Sequence, residues 1–450
     1  MVFEELRNKY STFIYDDFKV TESKEEFTVI YKYIMGNYVF TPKVIILKKH
    51  IKNNNINKTF LNYLFFNYGL VDLINYYKLV CSKRIIVRAG ILNDNQKHFF
   101  KKLIYNGLGE YLYKNNIKVS FGDLVSFENE SDINYDYEVN ESFNGNLILV
   151  GGGKDSIVTT ELLKQYKNEN DFFMLERNIY PKNKAGYESI YTAGYTDDHI
   201  ITFKVELDPL MLELNKKGFL NGHVPFSSQL AFAAIIMAYL NNKKHVVLSN
   251  EASANETNII GSTVNHQYSK SIEFERDFRN YVMENITDKI EYFSLLRPWS
   301  EYQIVKYFVK RKKYLTIFRS CNRGTKKNVW CSDCSKCLYV YIMLSPFLNE
   351  KELNNIFGQN MLEREDMQSV FDALINDDVT KPFECVGSRD EINYALYLDI
   401  KKGQKLPYLL NYYKENYYDE KRKYHLDDYF NLENFVPSKF IGLLENENEK

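Results

Sequence analysis

Residues Asn146-Leu-Ile-Leu-Val-Gly-Gly-Gly-Lys-Asp-Ser-Ile-Val158 constrain the fold more than any other stretch of the chain. Asn146 to Val150 is a short apolar run rich in β-favouring residues, which predicts a buried strand. Gly151, Gly152 and Gly153 follow at once, so the backbone can turn sharply and lie close to a ligand. Ser156 stands at an expected helix N-cap, and Val158, Leu162 and Tyr166 share one face of the helix beyond it. A strand, a glycine turn and a helix N-terminus bring N–H groups and the positive helix end to one point, which suits phosphate. The Walker pattern Gly-x-x-x-x-Gly-Lys-Ser/Thr cannot be laid over Gly-Gly-Gly-Lys-Asp-Ser. The plainer alternative is a turn that merely lets a strand enter a helix. The full six-residue pattern in this setting favours the phosphate site.

The six residues resemble the PP-loop of the N-type ATP pyrophosphatases, Ser-Gly-Gly-x-Asp-Ser, with Gly151 in place of the first serine. That resemblance implies cleavage of ATP between its α and β phosphates and adenylation of a substrate. It further implies that Gly151, Gly152, Gly153 and Ser156 hold the outer phosphates. Lys154 would neutralise them, and Asp155 would help place Mg2+. A Cβ at Gly152 is expected to occupy the space of a phosphate oxygen.

A chain of 450 residues is long enough for two or three domains. Residues 1–143 are expected to form an α+β N-terminal domain. Its strands alternate through Phe27, Val29, Tyr31 and Tyr33, with a hairpin at Gly36-Asn37, and its helices span about Asn57 to Lys83 and Asn95 to Lys114. Val119 to Gly153 contains no lysine or arginine and gathers acids from Glu128 to Glu141, which reads as a solvated acidic linker or an extended surface segment, hence a domain boundary. In residues 144–340, strand signals at Asn146–Val150, Phe172–Leu175, Ile200–Val205, His245–Ser249 and Tyr292–Leu296 alternate with helices such as Pro225 to Leu240 and Ser271 to Met283. Such alternation specifies an α/β domain, a parallel sheet with helices on both faces, whose ligands gather beyond the carboxyl ends of the strands. Residues 341–450 read as a mainly helical C-terminal region, interrupted by Lys381-Pro-Phe-Glu-Cys-Val-Gly-Ser388.

Cys321, Cys331, Cys334 and Cys337 have the spacing C-x9-C-x2-C-x2-C. Thiolates two residues apart can share one tetrahedral ion, and a fourth closes the site, so a structural zinc is expected rather than a disulfide framework. The alternative is a set of unrelated buried thiols. A net charge of −1 gives no basic field for nucleic acid. The amino terminus carries acids and no apolar core of a signal peptide, and Leu230 to Leu240 is too short to span a bilayer. The expectation is a cytoplasmic protein without membrane insertion; its oligomeric state is left open.

Several separate motifs resemble one family, the UDP-N-acetylmuramoyl-L-alanyl-L-glutamate epimerases of peptidoglycan precursor synthesis. They are the glycine loop, Asn221-Gly-His-Val-Pro225, Ser249-Asn-Glu-Ala-Ser-Ala-Asn255, Val264-Asn-His-Gln-Tyr-Ser-Lys270, Leu296-Arg-Pro-Trp-Ser300, Ser320-Cys-Asn, Trp330-Cys, the Cys334/Cys337 pair and Lys381-Pro-Phe-Glu-Cys-Val-Gly387. The resemblance implies inversion of the terminal L-glutamate of a UDP-N-acetylmuramoyl dipeptide to D-glutamate, with ATP consumed to AMP and pyrophosphate. Cys385, Glu384, His223, His266 and Glu251 lie in loops of these motifs and are candidates for the Cα base. The chain also resembles 7-cyano-7-deazaguanine synthase, which adenylates another carboxylate but is much shorter and lacks the Lys381 to Gly387 segment. A nucleotide-binding sensor without catalysis is the third reading.

Overall fold

An eleven-stranded sheet runs through the molecule in the computed structural model, which describes residues 2–139, 142–259, 261–324, 327–403 and 405–448. Its strands are β1 (Thr12–Glu22), β2 (Glu26–Met35), β3 (Tyr38–Phe40), β4 (Lys43–Leu47), β5 (Arg84–Val87), β6 (Ser126–Asn129), β7 (Asn146–Leu149), β8 (Asn170–Arg177), β9 (Ile200–Glu206), β10 (His245–Leu248) and β11 (Glu291–Ser294). They lie in the order β11-β10-β7-β8-β9-β4-β2-β1-β5-β6, with β3 paired to β2. From β11 to β9 every pairing is parallel, as the alternation of strands and helices requires. Register puts Phe293, Val247, Ile148, Phe172 and Ile200 side by side, one row of the core on one face of the sheet.

The hairpin at Gly36-Asn37 forms as expected: Met35 faces Tyr38, and Gly36 adopts the left-handed φ of +57° that such a turn needs. β4 then runs antiparallel to β9, with Val44 opposite Val205, so one sheet continues across the position of the expected 143/144 boundary. The two halves also share a core. The helix Phe226–Leu240 lies on the parallel strands, yet its Phe232 packs edge-on against Phe99 and stacks on Phe100 from the N-terminal part. Its Tyr239 meets Phe60 at 4.7 Å. The opposite face is covered by helices Lys154–Leu162, Glu301–Val309, Ser335–Leu344 and Arg389–Lys401.

Three local expectations are corrected. The acidic stretch after Val119 is not all linker: Phe121–Leu124 is helical and Ser126–Asn129 joins the sheet beside β5. Two of its acids pair with arginines of the neighbouring strand region at the solvent-exposed edge, Glu128 with Arg84 and Glu130 with Arg88. The run expected to be one helix from Asn57 to Lys83 divides into Lys58–Asp72 and Ile74–Tyr77, after which β5 starts at Arg84. The helix after the glycines begins at Lys154 with Gly153 at the N-cap, which puts Ser156 inside its first turn. No helix of the described residues is long and apolar enough to cross a membrane.

Expressed alone, residues 144–450 would expose the β9 edge and the aromatic face of Phe226–Leu240. The fragment is expected to aggregate, which light scattering of the purified material would register. A monomeric, cooperatively melting fragment would show that the shared core is dispensable.

Candidate active site

β7 and β10 are neighbours, and strand order reverses between them, which makes their carboxyl ends the crevice where a parallel sheet offers a ligand site. The glycine loop leaves β7 there, residues 249–256 leave β10, and Arg297 to Glu301 follow the next strand, β11. Gly152 has φ +81°, and a Cβ on it would lie 2.6 Å from Gly186 N and 2.8 Å from the Ala185 carbonyl carbon. The glycine is therefore required by the backbone of the neighbouring helix rather than by phosphate space, which corrects the expectation. At Gly151, by contrast, a Cβ meets nothing within 4 Å. The loop is held from outside: Arg319 N donates to Gly152 O at 2.9 Å and Asn183 Nδ2 to Gly151 O at 3.0 Å. Ser156 Oγ donates to Gly153 O at 3.0 Å. The helix Lys154–Leu162 directs the unshared N–H groups of its first turn at this opening.

Lys154 is buried and forms ion pairs with Asp155 and Glu301. Burial opposes its charge, but Asp155, Glu301 and Glu251 together hold its ammonium above the ordinary lysine range. The Glu301 carboxyl is pushed up to about 7 by burial and by Asp155, Glu251 and Glu391, with Lys154 pulling the other way. Tyr339 donates to one Glu301 oxygen, while the other, Oε2, is buried without a partner among the described residues. Arg297, wholly buried, ties the loops together: Nη1 donates to Glu251 O at 2.6 Å, and Nη2 donates to Lys270 O at 2.5 Å and to Glu275 Oε2 at 2.9 Å.

Lys270 carries the site onward. Its Nζ lies 3.1 Å from Cys385 Sγ, and its ammonium also feels the Glu251 and Asp155 carboxylates. Burial would raise the Cys385 thiol, but Lys270, a hydrogen bond with His266, and Lys336 bring it down to about 6. Behind it, His266 Nδ1 is 2.5 Å from Glu110 Oε2, and the His223 ring packs 4.3 Å from that of His266. Burial and the neighbouring His266 depress His223 to about 4. Glu110, His223 and His266 are close enough to share a cation, but the His266–Glu110 contact is itself a hydrogen bond. Cys385 arrives from the C-terminal region because Lys381 N donates to Asn258 O at 3.0 Å and Asn258 Nδ2 to Pro382 O at 2.9 Å.

The structure thus brings Lys154, Asp155 and Glu251 together at the loop, and His223, His266 and Cys385 together beside it, with Lys270 between. Glu384 is placed differently: its Oε2 accepts from Lys336 N at 2.7 Å, at the start of the helix Ser335–Leu344, where a carboxylate suits the helix end. Sequence reasoning passed over Glu301, Lys270 and Glu110. Lys270 closes one of the quoted motifs, and Glu301 directly follows another as the first residue of the helix Glu301–Val309. Glu110 lies in the expected N-terminal domain, outside every motif. The signal there was Gly107 and Gly109 inside a helical pattern, since a Cβ on Gly107 would strike Pro225 at 2.7 Å and one on Gly109 would touch Val264. A cleft of about 780 Å³ lies apart from both groups, over β8, β9 and β4.

The four remaining site cysteines converge. Their sulfurs lie within 4.8 Å of one another, with Cys331–Cys337 at 3.7 Å and Cys334–Cys337 at 3.5 Å. Those spacings are close to the roughly 3.8 Å edge of a tetrahedron with bonds of about 2.3 Å, so one zinc fits. Gly324 N and Cys331 N donate to Cys321 Sγ at 3.1 and 3.4 Å, orienting that sulfur inward.

A family model described as the MurL N-terminal domain matches residues 4–295, and one described as the MurL C-terminal domain matches residues 317–415. Among curated proteins, the UDP-N-acetyl-alpha-D-muramoyl-L-alanyl-L-glutamate epimerase of a Micromonospora species is 32% identical over 74% of this chain and 73% of its own. The proteins of the same name from Salinispora tropica and Xanthomonas oryzae pv. oryzae are 31% and 30% identical, over 72% and 73% of this chain and 70% and 72% of their own. No solved structure matches.

Metal analysis should find about one zinc per chain, and Cys334→Ser should lower the melting temperature while leaving nucleotide affinity nearly unchanged. Gly152→Ala should cost stability because it strikes backbone, whereas Gly151→Ala should fold normally and weaken nucleotide binding alone, as melting curves and a binding isotherm would report.

Proposed function

The chain belongs to the MurL family, and from that premise we propose that it inverts the terminal L-glutamate of UDP-N-acetylmuramoyl-L-alanyl-L-glutamate to D-glutamate, with ATP cleaved to AMP and pyrophosphate. The observation that carries the reading is the shared lysine. Lys270 lies 3.1 Å from the Cys385 sulfur and also feels the carboxylates of Asp155 in the glycine loop and Glu251 after β10. An anion site and a thiolate are what an activated-carboxylate epimerisation needs within one substrate's reach.

The Cα–H beside a free carboxylate is a very weak acid, because its loss would leave two negative charges on one small group. ATP supplies the adenylyl group that turns the carboxylate into an acyl-adenylate, removing one charge and making the carbonyl an electron sink. In this reading the N-terminus of Lys154–Leu162 and Lys154 hold the outer phosphates. Asp155, Glu251 and Glu301 are hard oxygen donors suited to Mg2+, and the partnerless buried Oε2 of Glu301 is an atom such an ion would satisfy. Lys270 stabilises charge developing on the substrate carbonyl. Cys385, held as a thiolate, takes the Cα proton; a proton returned to the opposite face and attack by water complete the inversion.

Incubation in D2O with ATP, Mg2+ and the L-Ala-L-Glu precursor should give D-glutamate carrying deuterium at Cα, together with AMP. Asp155→Asn should keep the fold and lower AMP formation by about 100-fold or more, the scale of losing one preorganised electrostatic group. Formation of D-glutamate without ATP would refute the adenylation step, and AMP release with glutamate still wholly L would refute the epimerase reading. A deazapurine-type synthase would instead require ammonia, and a sensor would make no AMP.

A further inference from the structure

Glu110 is contributed by the helix Gly109–Lys114, far ahead in the chain of the loops that bear His223 and His266. Its carboxylate is 5% exposed, accepts the short hydrogen bond from His266, pairs with Lys114 and lies 3.7 Å from His223 Nδ1. Gly107 and Gly222 let this part of the chain close on the loops that carry both histidines, since side chains there would strike Pro225 and Tyr111. The result is a chain of contacts, carboxylate to imidazole to thiol, built from three distant segments. A nucleophile or base oriented through a second group by a third is the recurring arrangement for activating a thiol.

We propose that Glu110 is a positioning residue of the site: through its hydrogen bond it holds His266 as an imidazolium against Cys385, so that the N-terminal half of the chain sets the charge of the thiol. This role rests on Cys385 being the proton-transferring group. Other charges face the thiol as well. Lys270 is nearest, Lys336 reaches the Cys385 carbonyl with Glu384 at its own N–H, and Lys270 in turn feels Glu251 and Asp155. Against His266 stands His223, near Lys78 and Lys114. Burial disfavours charge on His266, but Cys385 and Glu110 raise it to about 9, while burial of Glu110 is offset by His266 and Lys114, which bring it down to about 2. The thiol lies at about 6, so between about 6 and about 9 sulfur and imidazole are both charged. Below that window the thiolate gains its proton; above it the imidazolium loses one.

The test is alkylation of the full-length, zinc-loaded protein by iodoacetamide, followed at the Cys385 peptide by mass spectrometry from pH 5 to 9, with neither ATP nor precursor present. The wild type should label with a midpoint near pH 6. Glu110→Gln keeps the shape but loses the charge, so its midpoint should move upward. Labelling at pH 5, below both midpoints, should then slow by about tenfold for every pH unit the midpoint rises. Glu110→Asp should restore part of the wild-type profile. If Glu110→Gln loses its melting transition, His266→Gln makes the same comparison. An unchanged profile in a folded variant would overturn the proposal, as would a second bound zinc lost on His223→Ala, which would make the cluster a metal site. An upward-moved midpoint in Glu110→Gln, from a wild type that forms no D-glutamate, would leave this relay standing and remove the epimerase reading.

Discussion

The buried guanidinium of Arg297 is the contact on which the site depends. It is fully enclosed, and a charge in that position needs a countercharge and hydrogen bonds to offset its burial. Glu275 supplies the countercharge, and that carboxylate also accepts from Ser294 N at 3.0 Å, fixing the end of β11. Nη1 and Nη2 also hold the backbone of Glu251 and Lys270, while Nε has no partner among the described residues. One side chain thereby locks the loop after β10, the segment bearing Lys270 and the exit of β11 into a single rigid unit. Preorganisation of this kind matters because the charges around Lys154 and Lys270 repel one another as readily as they attract.

Those charges alternate in space. Asp155 and Glu301 pair with Lys154, both lysines feel the Glu251 carboxylate, and Lys270 meets the Cys385 sulfur. Lys154 keeps its proton because carboxylates outweigh the cost of burial, Lys270 because the Cys385 sulfur and then Glu251 and Asp155 do, and the thiol loses its proton to the pull of these cations. The zinc-type cluster stands outside this network. Its part is to shape the start of the helix Ser335–Leu344, whose first N–H groups take the carboxylate beside Cys385.

Features carried by contiguous residues were legible. The strand, glycine turn and helix are encoded within thirteen residues, and the hairpin at Gly36-Asn37 within a few. The five parallel strands announce themselves as short apolar runs at regular intervals. What failed was local chemistry whose partner lies elsewhere. Glu128 and Glu130 looked like linker acids until Arg84 and Arg88 stood across from them, and Gly152 looked like a phosphate glycine until Gly186 closed in.

The sequence by itself determined the parallel sheet, the glycine loop at the end of its first strand and the grouping of four cysteines, because each follows from periodicity or spacing within one stretch. Tertiary structure decided which of five possible bases meet. It joined His266 to Glu110 across 156 positions and Lys270 to Cys385 across 115, and it turned Glu384 onto a helix end. The physical reason is that a side chain's charge depends on what surrounds it after burial. No pattern of neighbours along the chain specifies that surrounding; only the folding of separate loops over one sheet edge does.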